Sequence, residues 1–189
     1  MVKIEVFSHF LFEEWCKKDN LDDGNVDNEK DKAFIDIIGT EECLKYYLDE
    51  PNTKHYFEDH PNVLNLEFDD TPTDVMYKGH LFKTMNMTQA ERTVNFIEEM
   101  IEDGVTYFRI CCRAGMSRSR AIAEFIYRHC LQHEIEVEYA DRTEYTTMLN
   151  RMVLLKLQHA YYKKHQMYEY SNNGYDYPDD IKGNKIEYV

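Results

Sequence analysis

The chain is short of positive charge. Its 22 lysines and arginines stand against 36 aspartates and glutamates, a formal charge of −14. So acidic a chain has no general affinity for nucleic acid or for an anionic membrane. It lacks an apolar run long enough to cross a bilayer, and its start lacks the charged-then-apolar pattern of a secretory leader. A disulfide framework is missing too: Cys16, Cys43, Cys111, Cys112 and Cys130 are odd in number and follow no framework spacing. No internal repeat stands out. These absences point to a reducing cytoplasm, where an oxidisable thiol survives. What is there suffices for one domain: 189 residues, 43% of them hydrophobic, can bury a sizeable core.

Val2 to Val6 alternates apolar and polar residues and predicts a half-buried strand. A short helix with the only tryptophan, Trp15, is expected over Phe10 to Lys18. Residues 19–32 read as a solvated charged loop whose acidic spacing does not match a calcium site. Ala33 to Ile38 predicts a buried strand, and Thr40 can cap a short helix through Leu48. Val63 to Phe68 is a third strand emptying into a polar loop, Asp69 to Asp74. Thr88 and Glu91 fit a capping box for an amphipathic helix over 88–102, which Gly104 ends. Asn150 is expected to cap a last helix lined by Val153, Leu154, Leu157 and Tyr161. Strands separated by helices predict an α/β fold, a central mostly parallel sheet of four to five strands with helices on both faces. The domain is expected to span residues 1–168, with 169–189 as an irregular Tyr- and Asp-rich tail.

The chemistry concentrates in residues 107–126. A strand from Val105 to Cys111 leads into a loop from Cys112 to Arg118, and a helix follows from Ser119. Such a loop can point successive backbone N–H groups inward around an anion. The helix behind it adds unpaired N–H groups and the positive end of its dipole. The same field that holds phosphate stabilises thiolate, and Arg118 offers a planar fork to two phosphate oxygens. Because ligands bind beyond the carboxyl ends of parallel strands, the Cys112 loop and the Asp69–Asp74 loop should meet in one cleft. Arg109, Arg113, Arg118, Arg120 and Arg128 cluster around the loop in sequence and are expected to give it a basic mouth. His129 and His133, four apart on a helix, offer two metal ligands and no third.

Cys112-Arg113-Ala114-Gly115-Met116-Ser117-Arg118-Ser119 resembles the signature loop of cysteine-dependent phosphatases, and its Ser-Arg-Ser ending resembles the dual-specificity branch. The resemblance covers about residues 62–168 and implies a phosphatase-like fold, with the loop between a central strand and a helix. It implies that Cys112 is the nucleophile, that Arg118 clamps the phosphate and that Ser119 assists thiolate departure. Arg113, Ala114, Gly115, Met116 and Ser117 complete the implied phosphate cradle. The segment Leu66 to Thr71 resembles the family's strand-to-acid-loop junction; by that match Asp70 is the proton donor, ahead of Asp69 and Asp74. The family usually has His directly before the nucleophile, and Cys111 stands there instead.

The expected activity is metal-independent, cofactor-free hydrolysis of a phosphomonoester through a phosphocysteine intermediate, as in a protein tyrosine or dual-specificity phosphatase. The expected partner is a phosphorylated protein or another phosphomonoester, met by a monomer, with neither nucleic acid nor membrane involved. A phosphate-binding pseudophosphatase, a phosphoinositide or RNA 5′-phosphate phosphatase and a sulfur carrier use related loops, and all remain open at this stage. The cysteine reading requires a sulfur that opens on solvent and a guanidinium turned inward.

Overall fold

The alternation at the start of the chain sends Val2 and Ile4 into a core, and strands and helices then succeed one another. In the computed structural model, which describes residues 1–41, 43, 54–140, 142, 148–167, 169–171 and 174–176, the elements are β1 (Val2–Ser8), α1 (His9–Lys18), a 3-10 turn (Val26–Asn28), β2 (Lys32–Ile38), β3 (Val63–Glu67), β4 (Val75–Tyr77), β5 (His80–Phe82), α2 (Met87–Glu102), β6 (Tyr107–Cys112), α3 (Arg118–Gln132), β7 (Val137–Glu138), α4 (Arg151–Lys164), β8 (Glu169–Ser171) and β9 (Gly174–Asp176). Five strands make one sheet in the order β3-β2-β6-β1-β7, with every neighbouring pair parallel. This is the expected α/β architecture.

Both faces are covered, which is why β2 is buried at six of its seven positions. Ala33, Ile35 and Ile37 of β2 join Phe108, Ile110 and Cys112 of β6 in the larger core, shared with α2, α3 and α4. Phe34 and Cys111 point the other way, into a second core with Phe12 and Cys16 of α1, Val26 and Phe57. Phe12, Phe34 and Phe57 meet at ring-centroid distances of 5.3–6.2 Å in tilted and edge-on pairs. Successive strand residues face opposite sides, so Cys111 and Cys112 serve different cores. A disulfide between them does not fit this arrangement.

Two local readings differ from the sequence expectation, and two elements lie where the sequence suggested none. The capping box of α2 lies two residues earlier: Asn86 accepts from the Gln89 N–H, and Gln89 returns a bond to the Asn86 N–H. Residues 75–82 form a hairpin, β4–β5, turned by Lys78 and Gly79 with φ of 49° and 84°, the left-handed pair a two-residue turn demands. β7, two residues long, adds an edge that no apolar run announced. Within the stretch read as an irregular tail, β8 and β9 pair antiparallel. The helix expected after Thr40 is represented by Glu41 and Cys43; its remainder lies outside the described residues.

Candidate active site

β6 ends at Cys112, and the chain turns over the end of β1 before α3 begins. Gly115 makes this turn possible. Its φ is +67°, and a Cβ there would lie 2.6 Å from the Phe7 carbonyl carbon and 2.7 Å from the Ser8 nitrogen. Only a residue without a side chain fits so close to another backbone. Arg120, buried one turn into α3, fastens the loop from behind by donating from Nε to the Gly115 carbonyl at 3.1 Å.

A cleft of about 250 Å³ opens above. Cys112, Arg113, Ala114, Met116, Ser117 and Arg118 line one side, and Asp69, Asp70 and Thr71 the other. The two loops expected to converge therefore do. Cys112 is only 2% exposed, yet it forms part of the cleft floor. Its Sγ lies 3.0 Å from Ser119 Oγ, a hydroxyl with no exposure at all. Ser117 precedes α3 without capping it; its hydroxyl donates instead to Asp70 Oδ1 at 2.8 Å.

Arg118 carries the electrostatics. It is 7% exposed, and its Nη1 donates to the Phe68 carbonyl at 2.7 Å, which ties the signature loop to the acid loop. Its Nε is buried with no hydrogen-bond partner, and among the described residues no carboxylate pairs with the guanidinium. A buried, unpaired charge costs several kcal/mol. Proteins tolerate such a charge where an anion comes to meet it.

The three candidate acids separate cleanly. Asp69, 1% exposed, accepts from the Thr40 N–H and hydroxyl and from the Lys83 N–H at 2.7–2.9 Å, so both oxygens are occupied in joining three segments. Asp74 accepts from the Thr84 N–H and lines a different depression. Asp70 is exposed at the cleft, with Ser117 and Asn150 both donating to its Oδ1 at 2.8 Å. Asn150 was legible as the cap of α4, where its Oδ1 accepts from the Met152 and Val153 N–H groups. Its second role, holding Asp70 through Nδ2, was not, because a cap uses only half of the amide.

The basic mouth is narrower than the sequence suggested. Arg109 lies on the α1 face, 3.3 Å from the Trp15 ring centroid and paired with Glu5. Arg120 supports the loop, and Arg128 pairs with Glu124 at 2.7 Å. Of the five, Arg113 and Arg118 line the cleft. The strand alternation that sends Cys111 away from Cys112 also turns Arg109 away.

Sequence reasoning did not foresee the group behind Cys111. Asp36 is buried beneath the loop, with Tyr56 N–H donating to its Oδ2, His9 and His55 ring nitrogens beside it and the Cys111 thiol donating to Oδ1 at 3.2 Å. Burial alone would raise the Asp36 carboxyl, but His55 and His9 outweigh it and hold it well below the usual carboxylate range. Burial, and then the Asp36 charge, push the Cys111 thiol well above its ordinary value. Burial likewise pushes Cys16 to about 12 and Cys130 to about 11. None of the five cysteines is in a disulfide, and Cys16 and Cys130 are packing groups.

No family profile matches the chain, and no curated protein does. Among solved structures, a human tyrosine phosphatase-like serine/threonine/tyrosine-interacting protein aligns at 18% identity over 72% of this chain and 80% of its own, with a TM-score of 0.38. Similarity so distant decides nothing about the site, whose reading rests on its own geometry. No helix among the described residues is long and apolar enough to cross a membrane.

Proposed function

We propose that this chain hydrolyses phosphomonoesters through a phosphocysteine intermediate, as a protein tyrosine or dual-specificity phosphatase. The observation that carries the reading is the buried Arg118 guanidinium, which lacks an anionic partner among the described residues and faces a cleft floored by the Cys112 thiol. The Cys112 thiolate attacks phosphorus, forming an S–P bond as the ester P–O bond breaks. Loop N–H groups and Arg118 hold the equatorial oxygens throughout, so the stabilising dipoles are in place before charge develops. Asp70 gives its proton to the departing oxygen and then takes one from the water that cleaves the S–P bond. Ser119, 3.0 Å from the sulfur, stabilises the thiolate as it leaves. None of these steps calls on a metal. Apolar Met116 and Phe82 at the cleft suit an aromatic leaving group, and five cysteines outside any disulfide suit a reducing, cytoplasmic setting.

The test is turnover of an aryl phosphate by the wild type, Cys112→Ser and Asp70→Asn. The serine variant should be inactive yet still bind inorganic phosphate or vanadate. The asparagine variant should lose roughly 10²- to 10³-fold in kcat, the usual worth of a positioned acid. A folded wild type inert toward every phosphomonoester, or an active serine variant, overturns the assignment.

A further inference from the structure

From the residues behind the signature loop we infer a divalent-metal site of zinc type, with His9 Nε2, Asp36 Oδ1 and Cys111 Sγ as ligands. This inference is independent of the phosphate chemistry. The three atoms lie within 4.8 Å of one another, and all three residues are buried. They come from the β1–α1 junction, β2 and β6, neighbouring strands whose parallel register sets Asp36 beside Cys111. Imidazole nitrogen, carboxylate oxygen and thiolate sulfur are the donors that zinc takes together.

A second observation separates a ligand set from an ordinary ion-pair network. His9 Nε2 lies 3.0 Å from Asp36 Oδ1, and His55 Nδ1 lies 3.3 Å from Asp36 Oδ2. Neither ring nitrogen makes a hydrogen bond, although both are buried and His9 is 7% exposed. In a hydrogen bond the N–H points along the line to oxygen. At His9, lone pairs converging with those of Asp36 on a common ion instead leave nitrogen and oxygen close but misaligned. Tetrahedral zinc with its usual bond lengths sets neighbouring ligand atoms roughly 3.3–3.8 Å apart. The observed 3.0 Å from His9 to Asp36 and 3.2 Å from Cys111 to Asp36 fall a few tenths of an ångström short of this, and the third edge, His9 to Cys111, is within 4.8 Å.

The Tyr56 N–H holds the far carboxylate oxygen, with the His55 ring beside it, and so orients it from the outer shell. His9 also lines the cleft, which provides the path by which an ion enters. On binding, Cys111 releases its thiol proton to solvent, and the S–H bond is replaced by a metal–sulfur bond. The ion would then pin the end of β6 directly behind the nucleophile loop.

The experiment is titration of the purified, chelator-stripped full chain with Co²⁺ and with Zn²⁺. One equivalent of Co²⁺ should bring up a near-ultraviolet thiolate-to-cobalt charge-transfer band together with tetrahedral visible bands. Cys111→Ser should lose the charge-transfer band, whereas Cys112→Ser should keep it. Zn²⁺ should raise the Tm of the wild type, and a folded His9→Gln should bind at least tenfold more weakly. A folded wild type that shows no band, a band that disappears with Cys112 rather than Cys111, or equal Zn²⁺ stabilisation of His9→Gln would overturn the site.

Discussion

Gly115 bears most directly on whether an anion cradle can exist at all. A methyl group at this position meets the Phe7 and Ser8 backbone at 2.6–2.8 Å, on top of a left-handed φ. Gly115→Ala should therefore push the loop off the end of β1 rather than strain it locally. The expected outcome is a folded chain that has lost at least tenfold in phosphate affinity, read by calorimetry on the Cys112→Ser background. Cys112, Arg118 and Gly115 could all be read from the signature stretch, because a loop between strand and helix fixes its own geometry over seven residues. The choice among Asp69, Asp70 and Asp74 could not. Adjacent residues in a turn point apart, and only the partners Thr40, Lys83, Ser117 and Asn150, distant in sequence, decide which carboxylate is tied into the fold and which stands exposed at the cleft.

At the level of elements, α3 and α4 pack through a cluster of rings that is apolar on one side and titratable on the other. His129 of α3 stacks on Phe125 and meets Tyr161 of α4 edge-on. Burial, and then the nearby His133, lower its imidazole to about 4. In the unfolded chain the same ring takes its proton near the usual value of about 6.5. Between those values the unfolded state holds the extra proton, so stability should fall as pH drops from about 6.5 to about 4 and level off below. The loss between about pH 7 and about pH 5 should be on the order of 2 kcal/mol, measured by urea denaturation. His129→Phe should flatten that slope while keeping the stack. The periodicity of α2, α3 and α4 was plain in the sequence, and the histidine pair that has no third metal ligand there is a packing group in the structure. Its ring partners come from another helix, which periodicity does not specify.

The whole molecule sets a field that its site must work against. With a net charge of −14, and with Arg109, Arg120 and Arg128 engaged in contacts away from the cleft, long-range attraction for an acidic substrate is weak. Phosphopeptides flanked by lysine or arginine should show a lower KM than those flanked by aspartate or glutamate. The ratio should shrink as salt rises from about 0.05 to about 0.5 M, since exposed charges are screened over a Debye length. Equal KM values at low salt would show that the surface charge plays no part in substrate choice. By itself the sequence determined the α/β alternation, the strand–loop–helix stretch after β6 and the cysteine and arginine that frame its loop. Those features depend on residues close together in the chain, where hydrophobic period and turn chemistry speak directly. Tertiary structure alone decided that Arg109 turns away, that Asp69 is spent on structure, that Asn150 steadies Asp70 and that His9, Asp36 and Cys111 converge. Each of those depends on which strand lies beside which and on which face a side chain leaves, and sheet order and register are properties of the folded whole.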